Sequence, residues 1–112
     1  KLSELLGNSK RPYVVMDIEG AEKELLCLEK VPELARTDFL VECHDFMDAE
    51  ITPTLLKRFS QTHDLEFVSQ AGRNPNQIDG LRTYNELDRW LVVCEFRPVA
   101  MHWLIGRARR RS

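Results

Sequence analysis

Tyr13-Val14-Val15-Met16-Asp17-Ile18-Glu19-Gly20-Ala21-Glu22 is the stretch on which the reading of this chain turns. An apolar run with no polar alternation stops abruptly at two carboxylates and a glycine, and a helical pattern starts at once. A Val-rich run of this kind suits a strand buried on both faces, as in a parallel sheet covered by helices. Asp17 and Glu19 then fall at the strand's carboxyl end, the edge at which open α/β sheets bind ligands. Acids at a helix start are also stabilised by unpaired backbone N–H groups and by the helix dipole, so capping competes with chemistry. For Glu22 and Glu24 capping is the preferred reading. For Asp17 and Glu19 both readings stay open, because an unpaired charge ending a buried strand would be costly.

Working outward, Ala21, Leu25 and Leu28 recur at i, i+4, i+7 and give the following helix one apolar face, with Pro32 ending it near Lys30. Upstream, Ser3-Glu4-Leu5-Leu6 before Gly7-Asn8 reads as the last turns of a helix with its stop signal, and the sequence is expected to begin mid-domain. Downstream, Asp38-Phe39-Leu40-Val41-Glu42-Cys43-His44 repeats the logic of an apolar entry and a polar exit, and predicts a second buried strand. Glu42 and His44 stand two apart and share a strand face, as do Asp17 and Glu19. Neighbouring parallel strands would therefore gather these carboxylates and one imidazole at a common edge. The competing readings are an arginine salt bridge for Glu42 and a turn cap for His44; His63 and His102 read as ordinary surface or core histidines.

Ile51-Thr52-Pro53-Thr54-Leu55-Leu56 predicts a helix capped by Thr52, with Pro53 at its first position and Ile51 stapled onto Leu56, running to about Gln61. Leu55, Leu56 and Phe59 form its expected buried face. Residues 65–70 alternate in part, as for a half-exposed edge strand. Residues 71–85 are rich in turn formers and read as a long loop, from which Arg73, Gln77, Arg82 and Tyr84 could reach a ligand or simply be solvated. Residues 88–96 predict a final strand stopped by Arg97-Pro98, and Met101, Trp103, Leu104 and Ile105 an apolar end that must pack somewhere. The order predicts an α/β fold with two parallel, right-handed βαβ steps and a last strand that is antiparallel.

The chain has 112 residues, 43% hydrophobic and 30% charged, which fits one soluble globular domain. No apolar run approaches the ~20 residues that span a bilayer and no signal-peptide pattern opens the sequence, so a cytoplasmic protein is expected. Cys27, Cys43 and Cys94 are odd in number, widely spaced and set in apolar segments; they read as buried thiols rather than a disulfide or zinc framework, and no metal ligand is assigned. A net charge of -2 makes nucleic acid an unlikely partner. The basic end at residues 107–111 reads as a solvated tail, with phosphate or nucleic-acid binding the minority reading.

Val15-Met16-Asp17-Ile18-Glu19-Gly20-Ala21-Glu22 and Leu40-Val41-Glu42-Cys43-His44 together resemble the second half of FkbM-type S-adenosylmethionine-dependent methyltransferases. In that family an Asp-x-Glu-Gly-x-Glu segment ends the fourth strand and a Glu-x-His segment the fifth. The resemblance implies the C-terminal half of a Rossmann-like class I methyltransferase fold, mostly parallel. Its sixth strand would lie at the edge near residues 65–70, and an antiparallel seventh, near residues 89–96, between fifth and sixth. The family's glycine-rich cofactor turn and the acid after its second strand have no counterpart here, and Val15-Met16 stand where a lysine is usual. Residues 1–112 thus read as one partial domain.

The leading expectation is a fragment of an O-methyltransferase acting on a small molecule or sugar, inactive in isolation and unable to hold S-adenosylmethionine tightly. Asp17, Glu19, Glu42 and His44 are its candidate catalytic residues. His44 suits the general base, since an unperturbed histidine titrates near pH 6.5, and Asp17 and Glu19 would orient the acceptor or the sulfonium. Carboxylates of this kind could instead hold magnesium or manganese. The alternative is a non-catalytic interaction module whose open strand flank pairs with another copy or with an upstream half-domain. A metal-dependent hydrolase is weaker, lacking a second histidine at ligand spacing.

Overall fold

The computed structural model describes residues 1–110, which fall into two compact units. One is built from Lys1–Ser69 with the described part of Met101–Ser112, the other from Gln70–Ala100. Among the described residues no helix is long and apolar enough to cross a membrane.

The first unit is an α/β structure around a four-stranded mixed sheet of order β1-β2-β4-β3, with β1 Tyr13–Met16, β2 Asp38–Cys43, β3 His63–Ser69 and β4 His102–Ala108. β1 and β2 are parallel, with Tyr13 beside Asp38 and Met16 beside Val41. β4 enters antiparallel between β2 and β3, setting Cys43 and Ser69 beside His102. The expected order, a last antiparallel strand between the second and third, is therefore present. The expectation of mostly parallel pairing is corrected: three strands run the same way, but the inserted β4 makes two of the three pairings antiparallel.

That last strand is not the segment expected. Residues 89–96 do not form a strand; Glu86–Val93 is α4, a helix in the second unit. Asn85 caps it, its side chain accepting the Asp88 N–H at 2.9 Å, and Glu86 and Asp88 place charge in the first turn. Leu87, Trp90, Leu91 and Cys94 also recur at helical spacing, so the capped 3.6-residue period wins over the continuous apolar run. The strand is instead drawn from the apolar end. Gly106 lies over the Phe39 ring, where an added Cβ would sit 2.3 Å from Cζ, so a glycine is what lets β4 close onto β2.

Phe39, Val41 and Cys43 point to the same side of β2 and meet Ile51, Leu55 and Phe59 from α3, Ile51–Phe59, with Leu26, Leu34 and Leu104 completing the core. Phe39 and Phe59 pack edge to face, their centroids 4.9 Å apart. The opposite face is barely covered along β1, where Tyr13 and Val15 are exposed while Met16 is buried. The expectation of burial on both faces is thus corrected, and β1 is an edge strand with one paired flank.

The remaining differences have local causes. α1 covers Leu2–Gly7, and Arg36 holds its end by donating to the Leu6 and Ser9 carbonyls at 2.8 Å. α2 is only Glu22–Leu25, ending well before Lys30. Arg58 donates to the carbonyls of Lys23 and Leu26, supplying partners that a longer helix would have provided, and Leu26 turns fully into the core. A 3-10 helix, Pro32–Arg36, leads into β2. At α3 the cap is not Thr52: Asp45 Oδ1 accepts the Thr52 N–H at 3.0 Å, and Thr52 Oγ1 lies 2.8 Å from His102 Nε2. Cys27 and Cys43 are buried as expected, whereas Cys94, at the end of α4, is exposed.

Candidate functional site at the carboxyl edge of β1 and β2

β1 stops at Met16 and the chain makes a tight turn in which Glu19 (φ 55) and Gly20 (φ 107) both adopt left-handed backbone. Glycine accepts that conformation freely; a glutamate there carries strain of order 1 kcal/mol, the kind of outlier that clusters at working sites. The turn carries Glu22, at the first position of α2, beneath the strand ends. There it is wholly inaccessible to solvent.

His44, one residue past β2, is 3% exposed and sits directly above it. Its Nδ1 lies 2.5 Å from Glu22 Oε1, which also accepts the Gly20 N–H at 3.3 Å, while Glu22 Oε2 has no hydrogen-bond partner. With Nδ1–H donating to Glu22, the Nε2 atom is aimed at the rim, 3.5 Å from Asp17 Oδ1 and 3.6 Å from Glu19 Oε2. Both rim carboxylates are exposed. The buried glutamate fixes the ring and its tautomer, and the free nitrogen faces solvent-side chemistry.

Burial is the largest single influence on His44 and pushes its pKa down. It is outweighed by the Glu22 hydrogen bond together with the charges of Glu22, Glu19 and Glu42, so the imidazole is held above its ordinary value. Phe46, whose ring centroid lies 5.9 Å from that of His44, and Met47 are exposed apolar side chains in the following turn. Met47 Sδ would lie 3.3 Å from a Cβ on Gly20, so this turn packs closely on the Glu19-Gly20 turn.

Of the four residues singled out in the sequence, Asp17, Glu19 and His44 come together, each offering a ligand atom within 4.8 Å of the others. The point between them is one that a proton on Nε2 or a small divalent cation would fill, and two oxygens with one imidazole suit a hard or borderline ion. Glu42 is buried on β2 beside Trp103 of β4; it adds its charge to His44 but stands outside that trio. Glu22, read as a cap, is the member the sequence reading missed. The sequence alone carried no signal for it: the buried side of α2 runs through Glu22 and Leu26 rather than through Ala21 and Leu25, and only the structure shows this.

The other candidates are engaged elsewhere. His63 is a core residue, its Nε2 2.8 Å from the Thr37 carbonyl, and burial lowers its pKa. His102 joins Thr52 and lies 3.6 Å from Asp45 Oδ2. Arg107 pairs with Glu66 and Arg109 with Asp64, both at 2.8 Å, and Arg110 lies 3.7 Å from Asp38; Arg111 is outside the described residues. In the second unit Arg73 pairs with Glu95 and Arg82 with Asp79, while Gln77 and Tyr84 are exposed. Comparison with known protein families, with curated proteins and with solved structures finds no match.

Proposed function

We propose that this chain carries the acceptor-activating half of an S-adenosylmethionine-dependent O-methyltransferase of Rossmann-like class I architecture, acting on a hydroxyl of a small molecule or sugar. The observation that carries the reading is the buried Glu22–His44 pair, which presents Nε2 beside Asp17 and Glu19 at the carboxyl edge of two parallel strands. The sheet order supports it, because a final antiparallel strand between two strands of like direction is what the FkbM resemblance implies. The residues present fit the reacting end of the cofactor and not its adenosine end. Five dispersed glycines form no phosphate- or nucleoside-cradling turn, so that grip must come from other chain.

S-adenosylmethionine, when bound, supplies a methyl group on a sulfonium sulfur. His44 Nε2 would take the proton of the acceptor hydroxyl, so that its oxygen could receive that methyl group. Glu22 stabilises the resulting imidazolium through Nδ1–H, in the manner of a buried carboxylate behind a general base. Asp17 and Glu19 orient the acceptor by accepting its hydroxyl hydrogens and add negative potential where positive charge resides.

The test is methyl transfer by the natural full-length protein against its His44→Gln variant. A loss of roughly 10²–10⁴-fold in kcat per folded molecule is expected for removal of a general base, alongside a lowered unfolding midpoint because buried Glu22 loses its partner. Calorimetric titration of the 112-residue chain itself with S-adenosylmethionine should show no micromolar binding. A full-length protein indifferent to His44→Gln would sink the assignment.

A non-catalytic interaction module is the second reading, and the unpaired flank of β1 with exposed Tyr13 and Val15 favours it. Concentration-dependent association in sedimentation, together with a full-length protein that transfers no methyl group, would select it.

A further inference from the structure

At the amino-terminal ends of β1, β2 and β3, the edge opposite His44, the first unit holds an open cavity of about 1010 Å³. Its walls come from four separated segments: the turn before β1, the Pro32–Arg36 helix, the residues entering β3 and those leaving β4. Lys10, Arg11, Arg36, Arg109 and Arg110 line it, and Glu33 is the one acid among the lining residues. In a chain whose net charge is -2, this concentration of cations is local and not a consequence of composition.

The walls are braced. Arg36 spans the Leu6 and Ser9 carbonyls, the Arg109 N–H donates to the Thr62 carbonyl at 2.9 Å, and the Glu33 carboxylate is turned to Ser3 Oγ at 2.7 Å. Part of the positive charge is already met, since Arg109 pairs with Asp64 and Arg110 lies 3.7 Å from Asp38. Lys10 and Arg11 are exposed and have no acidic partner among the described residues.

We propose that this cavity binds a small molecule bearing two or more linked phosphates, at a site separate from the candidate active site and independent of the methyltransferase reading. The cations come from three of the four segments, the turn before β1, the Pro32–Arg36 helix and the residues leaving β4; a di- or triphosphate can span them where a single phosphate engages fewer, and it offers the paired terminal oxygens that guanidinium forks engage. The volume is at the upper end of those for small-ligand pockets. No aromatic side chain lines the cavity, so the stacking platform by which single-stranded nucleic acid is held is missing; Asp38, Asp64 and Glu33 interrupt any continuous basic track.

The test is calorimetric titration of the 112-residue chain with inorganic tripolyphosphate, with inorganic phosphate, and with a single-stranded oligonucleotide at low salt. Tripolyphosphate should bind with one-to-one stoichiometry, at least tenfold more tightly than phosphate, and weaken as salt rises. The double variant Lys10→Ala, Arg11→Ala should lose roughly tenfold or more in affinity while keeping its circular dichroism and unfolding midpoint, because neither side chain holds the fold. His44→Gln should bind tripolyphosphate as the wild type does. Absence of saturable tripolyphosphate binding, or binding untouched by the double variant, would overturn the proposal. So would an oligonucleotide that binds more tightly than tripolyphosphate, which would make the surface a nucleic-acid track.

Discussion

Glu22→Gln separates a positioned imidazole from a merely packed one, and its size can be worked from the contacts. In the wild type a protonated His44 donates from Nδ1 to a fully buried carboxylate 2.5 Å away. Hydrogen bonds involving a charged group contribute about 1.5–3 kcal/mol, against about 1 kcal/mol for a neutral pair. The amide also brings an NH₂ to the Oε2 position, which has no partner, at a further cost of about 1–3 kcal/mol. Together the variant should lose roughly 2–4 kcal/mol where His44 is charged. Because the folded-state pKa of His44 is raised, the pair's contribution is fully present below the unfolded value near 6.5 and fades as pH climbs through the folded pKa. In Glu22→Gln burial dominates, the pKa falls below its ordinary value, and stability is lost instead as pH drops below about 6.5. The two stability curves therefore diverge on acidification, by at most about 1.4 kcal/mol per pH unit for one proton, and converge on alkalinisation. Urea unfolding across this range, with the His44 ring followed by NMR, reads both quantities. A stability difference that is constant with pH, or a His44 titration that moves upward in the variant, would refute the reasoning.

Gly106→Ala should destabilise the sheet by roughly 1–3 kcal/mol in urea unfolding, because its Cβ would overlap the Phe39 ring, and Phe39→Leu in the same chain should recover part of the loss. His63 has a lowered pKa, from burial first, so its charging opposes folding; His63→Gln should flatten the loss of stability that wild type shows below about pH 6.5, at some constant cost in packing. Arg58→Met should cost about 1–3 kcal/mol and speed amide exchange at the end of α2, since the Lys23 and Leu26 carbonyls lose their donor. On the proposed methyltransferase reading, Asp17→Asn should lower turnover while leaving the unfolding midpoint nearly unchanged, because Asp17 is exposed; equal loss of both would mark it as a cap.

What the sequence disclosed of the fold depended on how many competing signals each segment carried. Residues 38–44 combine β-branched and aromatic side chains with clear ends, and β2 lies where they place it. Residues 88–96 carry two signals, a strand-like apolar run and an Asn85–Asp88 cap with helical spacing, and periodicity within the run could not rank them. The cap decides in favour of α4, and its consequence is non-local: the sheet must draw its last strand from residues 102–108. The expected strand order is present even though a different segment supplies the last strand. The premise of a missing helix did not survive, since α4 lies in sequence between β3 and β4, and the antiparallel order stands on the observed pairing of β4 with β2 and β3.

The site shows the complementary limit. Strand-end position sufficed to bring Asp17, Glu19 and His44 to one edge, whereas strand alternation did not place them: β1 stops at Met16, and Glu19 lies in a left-handed turn beyond it. Alternation alone could not show that Glu42 would stay with the neighbouring β4 rather than reach the trio, because that depends on which strand pairs with β2. Glu22 was concealed for a different reason. A glutamate at a helix start has an adequate explanation in the dipole, and only the left-handed Glu19-Gly20 turn converts that position from an exposed cap into a buried one. Once buried, a carboxylate with one oxygen unpartnered needs its cation close by, and His44 is the group within reach. The strain at Glu19 and the burial of Glu22 are thus two ends of one arrangement. Relieving the first, for instance by Glu19→Gly, should leave the Glu22–His44 pair intact, stabilise the turn, and remove only the rim carboxylate.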